Sequence, residues 1–174
     1  MVAGSTAIIE YLDARHFQPR LVPGEPAQAA EARLWASWAD RLLGVDTRRV
    51  LTPHWWRHPA DAERYFFAAA PRHERAGFRL VRRPFALVAI LYRGAFPAAV
   101  RSAQKRVDTA FELLEAALAE RDHLVGDSLT LADISVAVAA NMMLIPPAGR
   151  ERYAGTRALE WVDCVLPAPY KRWL

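Results

Sequence analysis

The sequence predicts an all-α fold, a bundle of five or more helices around one central apolar helix, and three stretches carry that prediction. The first is Leu129-Thr130-Leu131-Ala132-Asp133-Ile134. Thr130 followed three residues later by Asp133 has the spacing of a capping box, with Asp in place of the commoner Glu or Gln, so each side chain can serve the other's orphan amide at a helix start. Leu129 before the cap and Ile134 after it are placed to clamp as a hydrophobic staple. From Ile134 to Ile145 the chain carries no charge, and Pro146-Pro147 stops it. A bilayer takes ~20 apolar residues, so this shorter helix belongs in a core. The second stretch runs from Ala98 to Arg121, where Val100, Ala103, Val107, Phe111, Leu114 and Leu118 draw one amphipathic stripe. The third, Ala27 to about Val50, has Ala30, Leu34, Trp38, Arg41/Leu42 and Val45 at steps of three and four, which predicts a long helix with those positions inward.

The other elements follow in order. Ser5 or Thr6 caps a helix reaching Asp13, with Ile8, Ile9 and Leu12 on or near its apolar face. Gln18 to Pro26 is a Pro-rich linker. Trp35 and Trp38 lie on adjoining faces of the long helix, where large aromatics at helical spacing ordinarily fill a core. Pro53-His54-Trp55-Trp56-Arg57-His58-Pro59 reads as a loop with a partly exposed Trp pair. Its two His residues lack the acidic base and the third ligand that a zinc site needs. Ala62 to Ala70 is a short helix. After it Arg72, Arg75, Arg79 and Arg82/Arg83 recur as a basic stripe, followed by the apolar run Pro84 to Tyr92. A solvated arginine face and then a buried helix is the expected reading. The alternative is an interfacial element with arginines on anionic headgroups. Gly126-Asp127 turns the chain into the capping box, and Thr156 to Val165 is a last helix with Leu159, Val162 and Val165 inward.

A chain of 174 residues, 53% hydrophobic and 24% charged, fits one ordinary globular domain. Its single cysteine, Cys164, excludes an internal disulfide framework, and no apolar leader opens the chain, so a reducing cytoplasm is the expected location. The net charge of +4 rests on arginine, with Lys105 and Lys171 the only lysines, and does not by itself point to nucleic acid. Internal repeats, a Gly-rich phosphate loop and a local nucleophile signature are absent.

The segment Leu124-Val125-Gly126-Asp127-Ser128-Leu129-Thr130-Leu131-Ala132-Asp133 resembles the capped core helix of the all-helical C-terminal domain of cytosolic glutathione transferases. In that family the Thr130/Asp133 box is a folding element rather than a catalytic one. Beside it, Ser5-Thr6-Ala7-Ile8-Ile9-Glu10-Tyr11-Leu12-Asp13 resembles the last helix of the family's thioredoxin-like domain. The resemblance implies that Ser5, with Thr6 next to it, meets the γ-glutamyl carboxylate of glutathione, which suits an anion at a helix start. Gly4 stands where the family usually has Glu or Gln. Leu21 and Pro23 resemble the interdomain connector. The implied organisation is a remnant helix at 1–17, a linker at 18–26 and the helical domain at 27–174. The family's electrophile pocket implies a wall at Trp35, Trp38 and Leu42, and Trp173 either caps that pocket or packs on the surface.

Met1 matches a position near the end of the last strand of the thioredoxin-like domain. The residue that stabilises the thiolate and the cis-Pro loop are therefore expected to lie outside this sequence, and no catalytic residue is assigned. The implied activity is conjugation of glutathione, as co-substrate, to a small electrophile in the complete protein. The chain alone is expected to be inactive and to need no cofactor. A non-catalytic interaction module is the reading from another class. Expected partners are a second copy of the chain and a small electrophile, with no nucleic acid. A membrane surface at Arg72 to Tyr92 is the least favoured partner.

Overall fold

Glu25 and Pro26 set the chain into its first long helix. The Glu25 carboxylate accepts hydrogen bonds from the amides of Ala27 and Gln28 at 2.9 and 2.7 Å, which hold it below the usual carboxylate range, and Pro26 needs no amide partner at a first turn. In the structure, a computed structural model that describes residues 8, 9, 11, 13, 15, 20–67 and 70–166, with 64, 65 and 82 as backbone only, this helix is α1, Pro26–Trp38. A π-helical turn, Ala39–Leu43, leads into α2, Gly44–Arg57. The chain goes on through α3 (Pro59–Phe67), α4 (Arg72–Arg93), α5 (Pro97–Ala117), α6 (Leu131–Leu144), α7 (Pro147–Arg152) and α8 (Arg157–Val165). Residues 8, 9, 11, 13 and 15 are helical ahead of them, and the described residues contain no strand. The fold is all-α.

Helix α6 is the hub. It packs against α1, the π turn, α2, α7 and α8, with Leu131, Ala132, Val136, Ala137, Ala140 and Leu144 fully buried. The predicted stripe of α5 also faces the core, since Ala103, Val107, Phe111, Leu114 and Leu118 are all buried. A smaller cluster of Leu51, Trp55, Ala62 and Phe78 sits where α2, α3 and α4 meet.

Helix α1 turns a different face inward from the one its large residues predict. The buried positions are Ala29, Ala32, Ala36 and Ala39, continuing to Leu43, while Ala30 is exposed, Leu34 is 71% exposed and Leu42 58%. The physical reason is distance. Alanine faces on both α1 and α6 let the two backbones approach closely, so the helix gives its small face to the core and its large one to the outside.

Three further expectations change. Residues 53–57 are helix rather than loop: Pro53 lies inside α2, and burial of Leu51, Thr52 and Trp55 around it offsets the amide bond it cannot make. Trp55 is buried and Trp56 exposed. The short helix is Pro59–Phe67, earlier than Ala62 to Ala70, because Pro59 serves as a helix start. Finally, the arginine stripe and the apolar run form one helix with Pro84 in its middle, and that run is not buried. Helix α4 rests on α2 and α3 along one face only, which leaves Leu80, Leu87, Val88 and Leu91 in solvent.

Candidate functional site

The described residues singled out by sequence for a site or a cap fall into two places, and the cavities make a third. The first is the start of α6. Asp133 is fully buried, and its carboxylate accepts hydrogen bonds from the Thr130 amide (2.7 Å), the Thr130 hydroxyl (2.8 Å) and the Leu124 amide (2.8 Å). The capping box is formed, and it also fastens the loop before it. One amide beyond the cap, Leu131 donates to the Leu21 carbonyl of the linker at 2.8 Å. Leu21 in turn donates its own amide to the buried Asp13 carboxylate, and Val22 does the same at 3.3 Å. A chain of hydrogen bonds therefore runs from Asp13, one of the helical residues ahead of the linker, through Leu21 to the first turn of the central helix.

The second place is α1 and the π turn. Trp35 and Trp38 are half-buried and meet edge to face, with ring centroids 5.5 Å apart. Leu42, exposed, follows at the next step on the same side. The π turn directly after Trp38 requires Gly44: the Gly44 amide reaches the Ala39 carbonyl, and a Cβ there would stand 2.9 Å from that oxygen. Wide turns of this kind re-aim the side chains around them. Ser5, Thr6 and Trp173 lie outside the described residues.

The third place comprises the cavities, and none of the three described here is lined by Trp35, Trp38 or Leu42. The largest, about 310 Å³, opens between the loop before α6 and α8, lined by Asp122, His123, Leu129, Arg157, Trp161 and Cys164 among others. Arg157 pairs with Asp122 at 2.9 Å on its rim. The Trp161 indole nitrogen and His123 Nδ1 are buried without a hydrogen-bond partner among the described residues. A second cavity of about 120 Å³ is walled by Trp55, Phe66, Phe78 and Phe85 with Arg93 at one end, room for about a single aromatic ring. Burial, and then the nearby Arg48, lower the basicity of that guanidinium, which donates to Thr52 Oγ1 at 3.0 Å.

The third cavity, about 260 Å³, lies beside a polar network on α5. There Asp108 accepts from Arg152 in a two-pronged pair at 2.8 and 2.7 Å, from the Tyr153 hydroxyl at 2.7 Å and from Gln104 at 3.0 Å. Burial works to raise the Asp108 carboxyl, but the bonds from Arg152, Tyr153 and Gln104 outweigh it and hold it below the ordinary range. Burial, and then the Asp108 carboxylate, push the Tyr153 hydroxyl well up, so it remains a donor. Nothing in the spacing of these residues announced the network, because Asp108 and Arg152 stand 44 positions apart. Elsewhere His54 stacks on His58 and bonds Asp61 at 3.0 Å, and the described residues hold no cluster fit for a metal ion.

Comparison with known proteins places this arrangement. Residues 97–173 match the family described as the glutathione S-transferase C-terminal domain. A glutathione S-transferase from Rhodospirillum rubrum F11 has a similar structure, with a TM-score of 0.63 and 22% identity over 97% of this chain. Beta-etherase LigF from Sphingobium sp. strain SYK-6 is similar at a TM-score of 0.64 and 25% identity over 99% of this chain. The chain spans 62% of the first of these structures and 72% of the second. No curated protein matches the sequence. Residues 97–173 thus match a glutathione S-transferase C-terminal domain, and the all-α fold of the chain is similar to that of these two solved structures.

Proposed function

We propose that this chain is the electrophile-holding half of a glutathione transferase homologue of the cytoplasm, and that it does not catalyse conjugation by itself. The observation that carries the reading is the hydrogen-bond chain Asp13–Leu21–Leu131, which fixes a helix ahead of the linker onto the capped core helix. Such an arrangement has a use where a second domain must be held in register with the first. In the complete protein glutathione supplies a thiolate nucleophile. Ser5 and Thr6 would be this chain's share of its contacts. The described residues beside them do not suffice to hold it: Ile8 and Ile9 bring no polar side chain, and Asp13 is committed to the linker amides. Trp35, Trp38 and Leu42 supply a stiff apolar wall suited to a small hydrophobic electrophile, with the π turn setting its angle.

Passing the full chain over immobilised glutathione tests the second half of this proposal. The expected result is no retention, with no conjugation of a chromogenic aryl halide. Retention that free glutathione reverses would overturn it. A second reading, an interaction module without catalysis, is favoured by the ridge of Leu34, Leu42 and Val45 left exposed on α1, the π turn and α2. A doubled mass in light scattering, abolished by Leu34→Gln with Leu42→Gln, would assign that ridge to a homodimer.

A further inference from the structure

We propose that α4 is a membrane-surface element, which lays an apolar stripe into the interface of an anionic bilayer with a row of arginines on the headgroups. The proposal stands apart from the transferase reading and rests on how one helix distributes its residues. Leu80, Pro84, Leu87 and Leu91 recur at steps of four, three and four, so they share one helical face. They are exposed, Leu80 by 83% and Leu91 by 58%, and Val88 beside them by 62%. The opposite side carries Phe78 and Ala89, which pack toward α2 and α3. Arg72, Arg79 and Arg83 run along one flank of the apolar stripe, all exposed. Among the described residues, Arg79 alone of the three has an ion-pair partner, Glu63 at 2.8 Å, and its side chain is still 62% exposed. Tyr92, 89% exposed, stands at the end of the stripe, where an amphipathic ring suits the headgroup level.

Charge selects the occupant. Helix α4 has six arginines against one glutamate, a net of +5, so the remainder of the chain carries −1 of the total +4. The whole positive excess of the protein sits on the helix whose apolar face is bare. An apolar stripe with arginines alongside matches the two layers of an anionic bilayer surface, acyl boundary and headgroup. A second copy of the chain would set Arg72, Arg79 and Arg83 against their own counterparts along the same face. The helix lies on the surface rather than spanning it, since no single helix among the described residues is long and apolar enough to cross. Its C-terminal end is fixed to the bundle: Arg49 donates to the Arg93 carbonyl at 2.9 Å, and Gly94 ends the helix in the left-handed region at φ 58°.

Flotation of the full chain with phosphatidylcholine vesicles, with and without phosphatidylglycerol, is the test. The chain is expected to float with the anionic vesicles alone, and less in high salt. Arg72→Gln with Arg83→Gln is expected to weaken partition about thirty-fold, from the attraction that each surface basic residue typically supplies. Leu87→Gln with Leu91→Gln is expected to abolish it. All four positions are exposed, so far-UV circular dichroism should be unchanged in both variants. Failure to float with either vesicle overturns the proposal, as does flotation indifferent to both pairs. A dimer in light scattering that the leucine pair dissociates overturns it too, and assigns the face to a second copy.

Discussion

Replacing Asp133 by Ala should cost this protein a large share of its stability, and the cost can be worked from three hydrogen bonds. The carboxylate accepts from two amides, Leu124 and Thr130, and from the Thr130 hydroxyl. Leu124 and Thr130 are each 2% exposed, so water cannot replace the lost acceptor. Each amide left buried without a partner costs about 1–3 kcal/mol, and the hydroxyl can turn elsewhere, so the sum is about 3–5 kcal/mol. A domain has about 5–15 kcal/mol in total, and the loss should lower a urea midpoint by about 2 M. The assay is urea unfolding followed by far-UV circular dichroism, with slopes compared to check that the variant unfolds as the parent does. Thr130→Val removes only the hydroxyl and should cost about 1 kcal/mol. Asp133→Asn keeps one acceptor oxygen for one amide and should fall between the two. If Asp133→Ala costs under about 1 kcal/mol, or Thr130→Val costs as much as it does, then the box is not what holds the loop and the helix start together.

Two further outcomes are expected. The Asp108 carboxyl is held below its ordinary range in the folded protein, so its contribution is present above the unfolded value of about 4 and is lost as pH falls through the folded one. Arg152→Gln should therefore lower stability at neutral pH and flatten the acid limb of a midpoint-against-pH curve; an unchanged acid limb would mean that Arg152 does not govern Asp108. Gly149→Ala would place a Cβ 1.7 Å from the Met143 carbonyl oxygen, a backbone atom that cannot swing aside, and should cost about 3 kcal/mol or more. Thermal unfolding within a few degrees of the parent would show that α7 has room to shift.

The central helix and its cap were legible because they are local: Thr130 and Asp133 are three residues apart, and the run after them has no charge to place elsewhere. The stripe of α5 was legible for the same reason. Helix α1 misled because periodicity gives a face but not its partner. Leu34, Trp38 and Leu42 share a period with one another as well as Ala29, Ala32 and Ala36 do, and only the closeness of α6 decides that the small face goes in. Prolines misled as well. Pro53 and Pro84 each look like a helix end, yet both lie inside helices, and around Pro53 the buried Leu51, Thr52 and Trp55 outweigh the one missing bond. The Asp108 network and the cavity at Trp161 join residues distant in sequence, so no spacing could disclose them.

The bond between Leu131 and Leu21 makes the core helix a sensor of what precedes it. A helix start ordinarily leaves its first amides to water or to its own cap. Here one of them is satisfied by the linker, whose next bond belongs to Asp13, so the order of the first turn and the seating of the helix that carries Asp13 are thermodynamically coupled. Anything that pulls that helix away loosens the start of α6 by the same free energy, and anything that tightens α6 holds the helix more firmly. The connector is thus less a hinge than a lever, and a partner gripping the first helix has a handle on the middle of the bundle.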